Sequence, residues 1–445
     1  MTNKFETDSI GRLLLKQAIP ATVGILVMSL NMIVDTIFVG RWISVLAIAA
    51  ITVVLPIAFL ISSIGMGIGM GGSSIISRNL GEKNHTKAFN VFGNQISLTV
   101  SLSIFFVVLG IYFGAPILKI FGAHGDIVVP ATEYFNVIIM GVPFLAFAMM
   151  GNPVIRALGK PNYAMTTMIL PAIINIILDI IFIKFLNLGM FGAGLATSIS
   201  YGVSGLFVLW FFLSKHNELK IIPKYFILNI PILKEIISLG GVSIVRQGVI
   251  SILIIVMNHS LFVYGGEISI SVYGIINRIM MFILSPVLGV MQAFLPVAGF
   301  NIGAKNALRV KETVKKSILF GTGVATFIFV IVLIFSKPLV GIFTNDKELL
   351  NLTPKALVIA FLATPVITIQ LIGSAYFQAA GRALPALMLT LLKQGFCLIP
   401  LVYLLPKFYG VNGVWISFPI ADVLSTIITY IFLHRALNSD LKYEN

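Results

Sequence analysis

The sequence predicts an all-α membrane protein in which twelve transmembrane helices form two six-helix lobes, related by a pseudo-two-fold axis along the membrane normal. Of the 445 residues, 58% are hydrophobic and only 10% are charged, whereas soluble domains carry roughly 25% charged residues. Long charge-free runs recur along the chain, and segments of the first half return in the second half. The composition therefore excludes a soluble enzyme and a disordered chain.

Twelve apolar stretches are long enough to cross a bilayer, which takes about 20 residues of helix. Residues 214–234 form the longest polar stretch. We therefore expect an N-lobe at 1–213, a cytoplasmic linker at 214–234 and a C-lobe at 235–445. The predicted spans lie at 13–38, 45–76, 90–114, 132–155, 162–184, 192–213, 235–262, 270–296, 316–336, 353–379, 384–405 and 411–434.

The basic residues predict the orientation of these spans. The loops on one side hold twenty Lys and Arg residues and the opposite loops hold seven. Because cytoplasmic loops carry the excess, we expect a multi-pass protein of a bacterial-type inner (cell) membrane with both termini in the cytoplasm. The same asymmetry explains the net charge of +14 without a role in binding nucleic acid.

The two halves repeat at one constant offset. The segment Asn79-Leu-Gly-Glu-Lys-Asn84 returns as Asn301-Ile-Gly-Ala-Lys-Asn306, and the same offset places Gly67 on Gly289. Six predicted spans separate the copies, so both copies cross the membrane in the same direction. Parallel repeats of this kind predict two lobes related by an axis along the membrane normal.

Three repeated motifs make the chain resemble a known family. They are N-x-G-x-K-N after spans 2 and 8, P-x-x-x-I-F after spans 3 and 9, and R-A-L-G-K with its counterpart Q-A-A-G-R after spans 4 and 10. Together they resemble the MATE (multidrug and toxic compound extrusion) family. The resemblance implies a secondary active antiporter that exports amphipathic, mostly cationic organic compounds in exchange for H⁺ or Na⁺.

Three acidic residues lie deep in predicted spans: Asp35, Asp179 and Asp422. A carboxylate at the bilayer centre costs at least ~2.5–3.5 kcal/mol, so such a residue marks a functional site or a buried ion pair. Asn31 and Asn175 each precede an Asp by one helical turn, so each Asn–Asp pair shares a helix face. For Asp422, a structural pair with Arg246, Arg278 or Lys393 is the favoured reading.

Four residues, Asp35, Asn175, Asp179 and Thr197, match an acidic and polar cluster of the DinF-like branch of MATE proteins, and Asn152 near the end of span 4 matches a polar cavity position of that branch. In those relatives the cluster is implicated in cation coupling. Burial and a second carboxylate both disfavour ionisation, so two aspartates can share one proton. The same oxygens could hold Na⁺ instead; H⁺ is preferred here.

A structural role is the alternative reading for the polar members, because Asn and Thr in spans often only bond neighbouring helices. That alternative is favoured for Asn31 and stays open for Asn152. The NorM-like branch has a Glu in span 7, where this sequence has Arg246, Gln247 and Asn258.

Pro20 precedes Asp35 by fifteen residues in the first span. A proline inside a helix removes a backbone hydrogen bond, and in the DinF-like branch a proline at this position is linked to bending of the span. Pro20 is therefore the predicted conformational hinge, with a static packing kink as the alternative.

The remaining motifs are negative. The glycines of span 2, at 65, 67, 69, 71 and 72, indicate close helix packing rather than a phosphate loop, and no Walker motif, nucleophile elbow or metal-binding histidine spacing is present. We expect no enzymatic activity, no cofactor besides the coupling ion, and a monomer whose partners are small-molecule drugs, organic cations and membrane lipids. The main alternative is a flippase of lipid-linked saccharides with the same fold, and a passive channel is less favoured.

Overall fold

The computed structural model describes residues 4–215 and 218–440, and within them all regular structure is helical. Residues 216–217 of the predicted linker and both chain ends lie outside this part. The prediction of an all-α chain with twelve spans is confirmed. Numbered in chain order as spans 1 to 12, the helices long and apolar enough to cross a membrane are Ile10–Trp42, Leu46–Gly81, His85–Ile120, Gly125–Ala157, Pro161–Phe185, Gly189–Leu213, Ile230–Ile283, Ser285–Gly303, Ala307–Gly341, Lys347–Ala379, Ala383–Tyr409 and Val411–Ser439.

Span 7 is too long for a single crossing. Its 54 residues would extend about 80 Å as one helix, whereas the hydrocarbon core is about 30 Å thick. The backbone turns at Gly266, where φ is 67° and ψ is −169°, a conformation that glycine adopts without strain. The residues before Gly266 therefore form the predicted span at 235–262. The residues after it continue, across a break at Leu284, into span 8.

The chain packs as two compact units. The first unit is Val23–Ser243, and the second unit is Met1–Thr22 together with Ile244–Asn445. This division differs from the predicted lobes 1–213 and 235–445, because the start of span 1 belongs to the second unit and the start of span 7 belongs to the first. The two division points, after Thr22 and after Ser243, are nearly equivalent positions of the repeat. The start of span 1 and the start of span 7 are therefore equivalent segments, and each is assigned to the unit that contains the other half of the chain.

In the second unit, the amino-terminal segment is held by Arg309 of span 9. Its Nη2 donates hydrogen bonds of 2.8 Å to the carbonyl oxygens of Phe5 and Asp8. The Phe5 ring lies 5.6 Å from the ring of Phe300 and is buried. These contacts explain why the residues before Thr22 group with the second half of the chain.

In the first unit, the segment before span 7 is held by span 3. Asn94 donates to the Ile227 carbonyl oxygen at 3.3 Å and accepts from the Asn229 amide at 2.7 Å. Arg78 pairs with Glu235 at 2.8 Å. Part of the predicted linker is therefore fixed to span 3 by hydrogen bonds, and the start of span 7 is fixed to span 2 by an ion pair.

Large apolar side chains cover the outer faces of many spans. Phe105 of span 3, Ile255 of span 7 and Phe327 of span 9 are each more than half exposed. Such surface is unfavourable in water and is compatible with hydrocarbon. The packing thus agrees with a multi-pass membrane protein.

The glycines of span 2 allow close approach to neighbouring helices. A Cβ added at Gly65 would lie 2.7 Å from the Ala146 carbonyl oxygen, and one at Gly69 would lie 2.6 Å from that of Met150. Both partners are in span 4. The glycine-rich stretch is therefore a packing face, as the sequence indicates.

Replacing Gly240 with Ala should destabilise the protein by about 1–3 kcal/mol, the usual cost of overpacking. A Cβ at Gly240 of span 7 would overlap the carbonyl group of Gly67 in span 2. Gly241→Ala is the matched control, because a Cβ there meets nothing within 4 Å. Thermal unfolding of the purified proteins in detergent checks this, and equal melting temperatures for the two variants would contradict it.

Candidate functional site

Two carboxyl groups face each other inside the first unit. Asp35 comes from span 1 and Asp179 from span 5, and their side chains lie close enough for a hydrogen bond once one of them carries a proton. Asp179 is fully buried, and Asp35 is half-buried. The structure thus brings together the two acidic residues that the sequence analysis singles out.

Amide and hydroxyl groups connect three spans beside this pair. Asn31 of span 1 donates to Asn175 Oδ1 of span 5 at 3.1 Å. Asn175 donates in turn to Thr197 Oγ1 of span 6 at 3.5 Å, and Thr197 donates to the Ala193 carbonyl oxygen at 3.0 Å. Asn31 bonds a neighbouring helix, as the structural reading expects, and does so within the cluster.

Three of the four carboxyl oxygens of the acidic pair accept no hydrogen bond from the described part of the chain. Among the described residues, Asn31 Oδ1, Asp35 Oδ1 and both carboxyl oxygens of Asp179 are buried and accept no hydrogen bond. Four acceptor oxygens are therefore buried without a donor from the described residues to satisfy them. Buried acceptors in this condition are costly, and a cation is the kind of ligand that would satisfy them.

Two tyrosines that the sequence analysis does not identify lie beside the acidic pair. Tyr134 of span 4 is buried, and its hydroxyl group lies close to Thr197. Tyr201 of span 6 is close enough to Asp35 to interact electrostatically. Tyr201 follows Thr197 by one helical turn, so helical spacing was a usable signal for it, whereas nothing in the sequence connects Tyr134 to the cluster.

Span 5 changes its helical geometry at the acidic residue. The α-helix ends at Asp179, and Ile180–Phe185 continues as a π-helix. Such segments are rare and are frequent at functional sites. The change re-aims the side chains that follow Asp179.

Asn152 lies in a separate hydrogen-bond network between spans 4 and 5. Its Oδ1 accepts from Arg156 Nε at 3.1 Å. Its Nδ2 donates to Thr167 Oγ1 and to the Ala164 carbonyl oxygen, both at 2.7 Å. Both ends of the amide are engaged, and within the described residues no hydrogen bond joins Asn152 to Asp35 or Asp179.

The hinge candidate Pro20 is buried, and the helix Ile10–Trp42 continues through it. It lies two residues before the point where span 1 passes from the second unit to the first, after Thr22. The position is thus compatible with a hinge, and the role stays a prediction.

Asp422 of span 12 pairs with Lys393 of span 11. Lys393 Nζ lies 2.6 Å from Asp422 Oδ1, and the Asp422 side chain is only 6% exposed. Of the three basic residues considered for Asp422, Lys393 is the ion-pair partner. This neutralisation also removes one of the basic residues that a flippase would need free for phosphate groups.

The comparison with known proteins identifies the family. The sequence matches the MatE family over residues 20–181 and again over residues 242–404. The chain belongs to the MATE family. The two MATE segments begin at equivalent positions of the repeat, so the family comparison and the internal repeat divide the chain in the same way.

Individual MATE proteins resemble the chain over nearly its whole length. The Multidrug export protein MepA of Staphylococcus haemolyticus is 27% identical over 98% of this chain and 95% of its own length. The MATE multidrug transporter DinF-BH, solved in complex with a ligand, is 37% identical, with a TM-score of 0.88 over 96% of each chain. A MATE protein solved in the straight conformation is 26% identical, with a TM-score of 0.93 over 100% of this chain and 99% of its own. The resemblance to the DinF-like branch is supported by the second of these.

Proposed function

We propose that the protein is a multidrug efflux antiporter that exports amphipathic organic cations in exchange for H⁺ through the Asp35–Asp179 site. The observation that carries this proposal is the acidic pair without donors. MepA is a multidrug export protein, and DinF-BH is a multidrug transporter. The acidic pair supplies a physical reason for exchange.

The exchange follows from charge. Two ionised carboxylates in contact, one of them fully buried and neither with a basic partner, are strongly unfavourable. The pair is therefore most stable with one positive charge, either a shared proton or the charge of a bound organic cation. A site that holds one such charge at a time releases the proton when the substrate binds and releases the substrate when the proton returns.

Sodium is the second candidate ion, and one observation favours it. The unsatisfied oxygens of Asn31, Asp35 and Asp179 are hard ligands of the kind that bind hard cations. The proton is preferred because two carboxyl groups in contact can share it with no other ligand.

Bending at Pro20 would link the site to transport. Protonation at Asp35 changes its contacts with Asp179, both in the first unit, while Pro20 removes a backbone hydrogen bond earlier in the same helix. We propose that span 1 bends there when the pair changes its charge.

The excess of basic residues in alternate loops supports an inner-membrane location with cytoplasmic termini.

The direct test uses purified protein in proteoliposomes loaded with ethidium. We expect efflux when a pH gradient is imposed and no efflux with a Na⁺ gradient at equal pH on both sides. Collapse of the pH gradient with nigericin is the control and should stop efflux. Efflux that follows the Na⁺ gradient alone would overturn proton coupling, and efflux that needs neither gradient would overturn the antiport.

A further inference from the structure

An aromatic cation site lies next to the acidic pair in the first unit. It consists of Phe38, Trp42, Lys184 and Phe185. The Phe38 and Trp42 rings stack with centroids 4.3 Å apart and an interplanar angle of 22°. Lys184 Nζ lies 5.5 Å from the Trp42 ring centroid and 5.7 Å from that of Phe185, within the roughly 6 Å range of a cation–π interaction.

The site adjoins the acidic pair along both helices that supply it. Phe38 and Trp42 follow Asp35 by three and seven residues, so all three share a face of span 1. Lys184 follows Asp179 by five residues in the π-helical segment, which is one π-helical turn. Spans 1 and 5 cross the membrane in the same direction, because three spans lie between them. Both helices therefore carry the aromatic cation site beyond their aspartate and toward the same end.

An interfacial anchor is the ordinary reading for a Trp and a Lys near span ends. Two observations count against it. Trp42 is half-buried and packs against the buried apolar cluster that contains Val39 and Ile183, whereas Lys184 and Phe185 are exposed, so a ligand from outside can reach the ammonium group and the rings. In the part of the chain that the structure describes, Lys184 forms no ion pair, and aromatic rings are its charge-stabilising contacts.

We propose that the aromatic cation site is a second binding station for lipophilic organic cations, which the Lys184 ammonium occupies until a substrate displaces it. This inference rests on the proposed function, since it places the station on the route to or from the acidic pair. Aromatic faces that hold an ammonium group also recognise quaternary ammonium and related cations. A lipophilic cation is more weakly hydrated than a primary ammonium, so it loses less hydration on entering the site.

Because Lys184 and the substrate compete for the same aromatic rings, substitutions of Lys184 and of Trp42 should have opposite effects on substrate binding. Lys184→Met keeps the length of the side chain and removes its charge, so the competitor and its repulsion of the substrate are both lost. Trp42→Leu removes the largest aromatic face and leaves an apolar side chain. We expect the Kd for tetraphenylphosphonium to fall about threefold to tenfold in the first variant and to rise about tenfold in the second, from the usual strength of a cation–π contact.

The test is calorimetric binding of tetraphenylphosphonium to the purified full-length protein in detergent, without any ion gradient. Lys407→Met is the matched control, because Lys407 Nζ lies 4.4 Å from the Tyr403 ring centroid in span 11, away from the acidic pair in sequence and unit. Its Kd should equal that of the wild type. A Kd for Lys184→Met that equals or exceeds that of the wild type would overturn the proposal and leave Lys184 as an interfacial anchor.

A spectroscopic measurement guards against misfolding of the Trp42 variant. In a Trp210→Phe/Trp415→Phe background, Trp42 is the one tryptophan left of three. Its emission should change on titration with tetraphenylphosphonium, and an unresponsive emission would overturn the station. If the expected changes in Kd are found but gradient-driven efflux is absent, the antiport proposal is wrong and the binding station stands. The two failures are therefore distinguishable.

Discussion

Replacing Asp179 with Asn should abolish gradient-driven ethidium efflux and leave the protein folded. The new amide has the shape of the carboxyl group but cannot release a proton. Its N–H can donate to Asp35, which makes permanent the hydrogen bond that the native pair forms only when protonated. Efflux from proteoliposomes should fall to the level of protein-free liposomes.

Stability separates this prediction from simple damage. Because a neutral donor replaces a buried group that lacks one, the melting temperature of Asp179→Asn should equal or exceed that of the wild type, by the stabilisation of about 1 kcal/mol that a hydrogen bond supplies. Asp126→Asn is the matched control, because Asp126 is an exposed residue at the start of span 4. It should export ethidium like the wild type.

The effects of substituting Asp35 and Asp179 on efflux should not add. Asp35→Asn alone should abolish efflux, and adding Asp179→Asn should cause no further loss, because two groups that share one proton titrate together. Wild-type efflux by Asp35→Asn, by Asp179→Asn or by the double variant would remove the coupling assignment. The second repeat offers no replacement, since Met257 and Leu401 stand at the positions equivalent to Asp35 and Asp179.

The acidic pair could be predicted from the sequence because an acid within a span is expensive and therefore rare. The contact between the two aspartates could not, because it depends on how spans 1 and 5 rotate about their axes, which packing decides. Tyr134 could not be predicted as part of the site for a related reason. A tyrosine is apolar enough to lie in any span at little cost, so its presence carries no signal.

Asn152 shows the limit of residue type as evidence. Like Asn175, it is an amide in a span, but Arg156 lies one turn after it and donates to its oxygen at 3.1 Å. The i,i+4 spacing was visible in the sequence and pointed to a local contact. The unit boundaries were less predictable, because they depend on contacts such as that of Arg309 with Asp8, which lie far apart in the sequence.

Breaking the Lys393–Asp422 pair should give the largest loss of stability. Lys393→Met leaves Asp422 with 6% of its side chain exposed and without its cationic partner. Removing one partner of a buried ion pair typically costs about 3–5 kcal/mol, because the remaining charge is uncompensated. The melting temperature and the yield of monodisperse protein should both fall sharply.

An exposed pair of the same length shows that burial, and not distance, decides this loss. Lys316 and Glu312 also approach to 2.6 Å, with side chains 44% and 41% exposed, so Lys316→Met should cost less than about 1 kcal/mol. The double variant Lys393→Met/Asp422→Leu should recover most of the stability, because apolar residues replace buried ion pairs well. If it folds and still exports ethidium, the pair serves the fold. If it folds and exports nothing, the pair takes part in transport and the structural assignment of Asp422 is wrong.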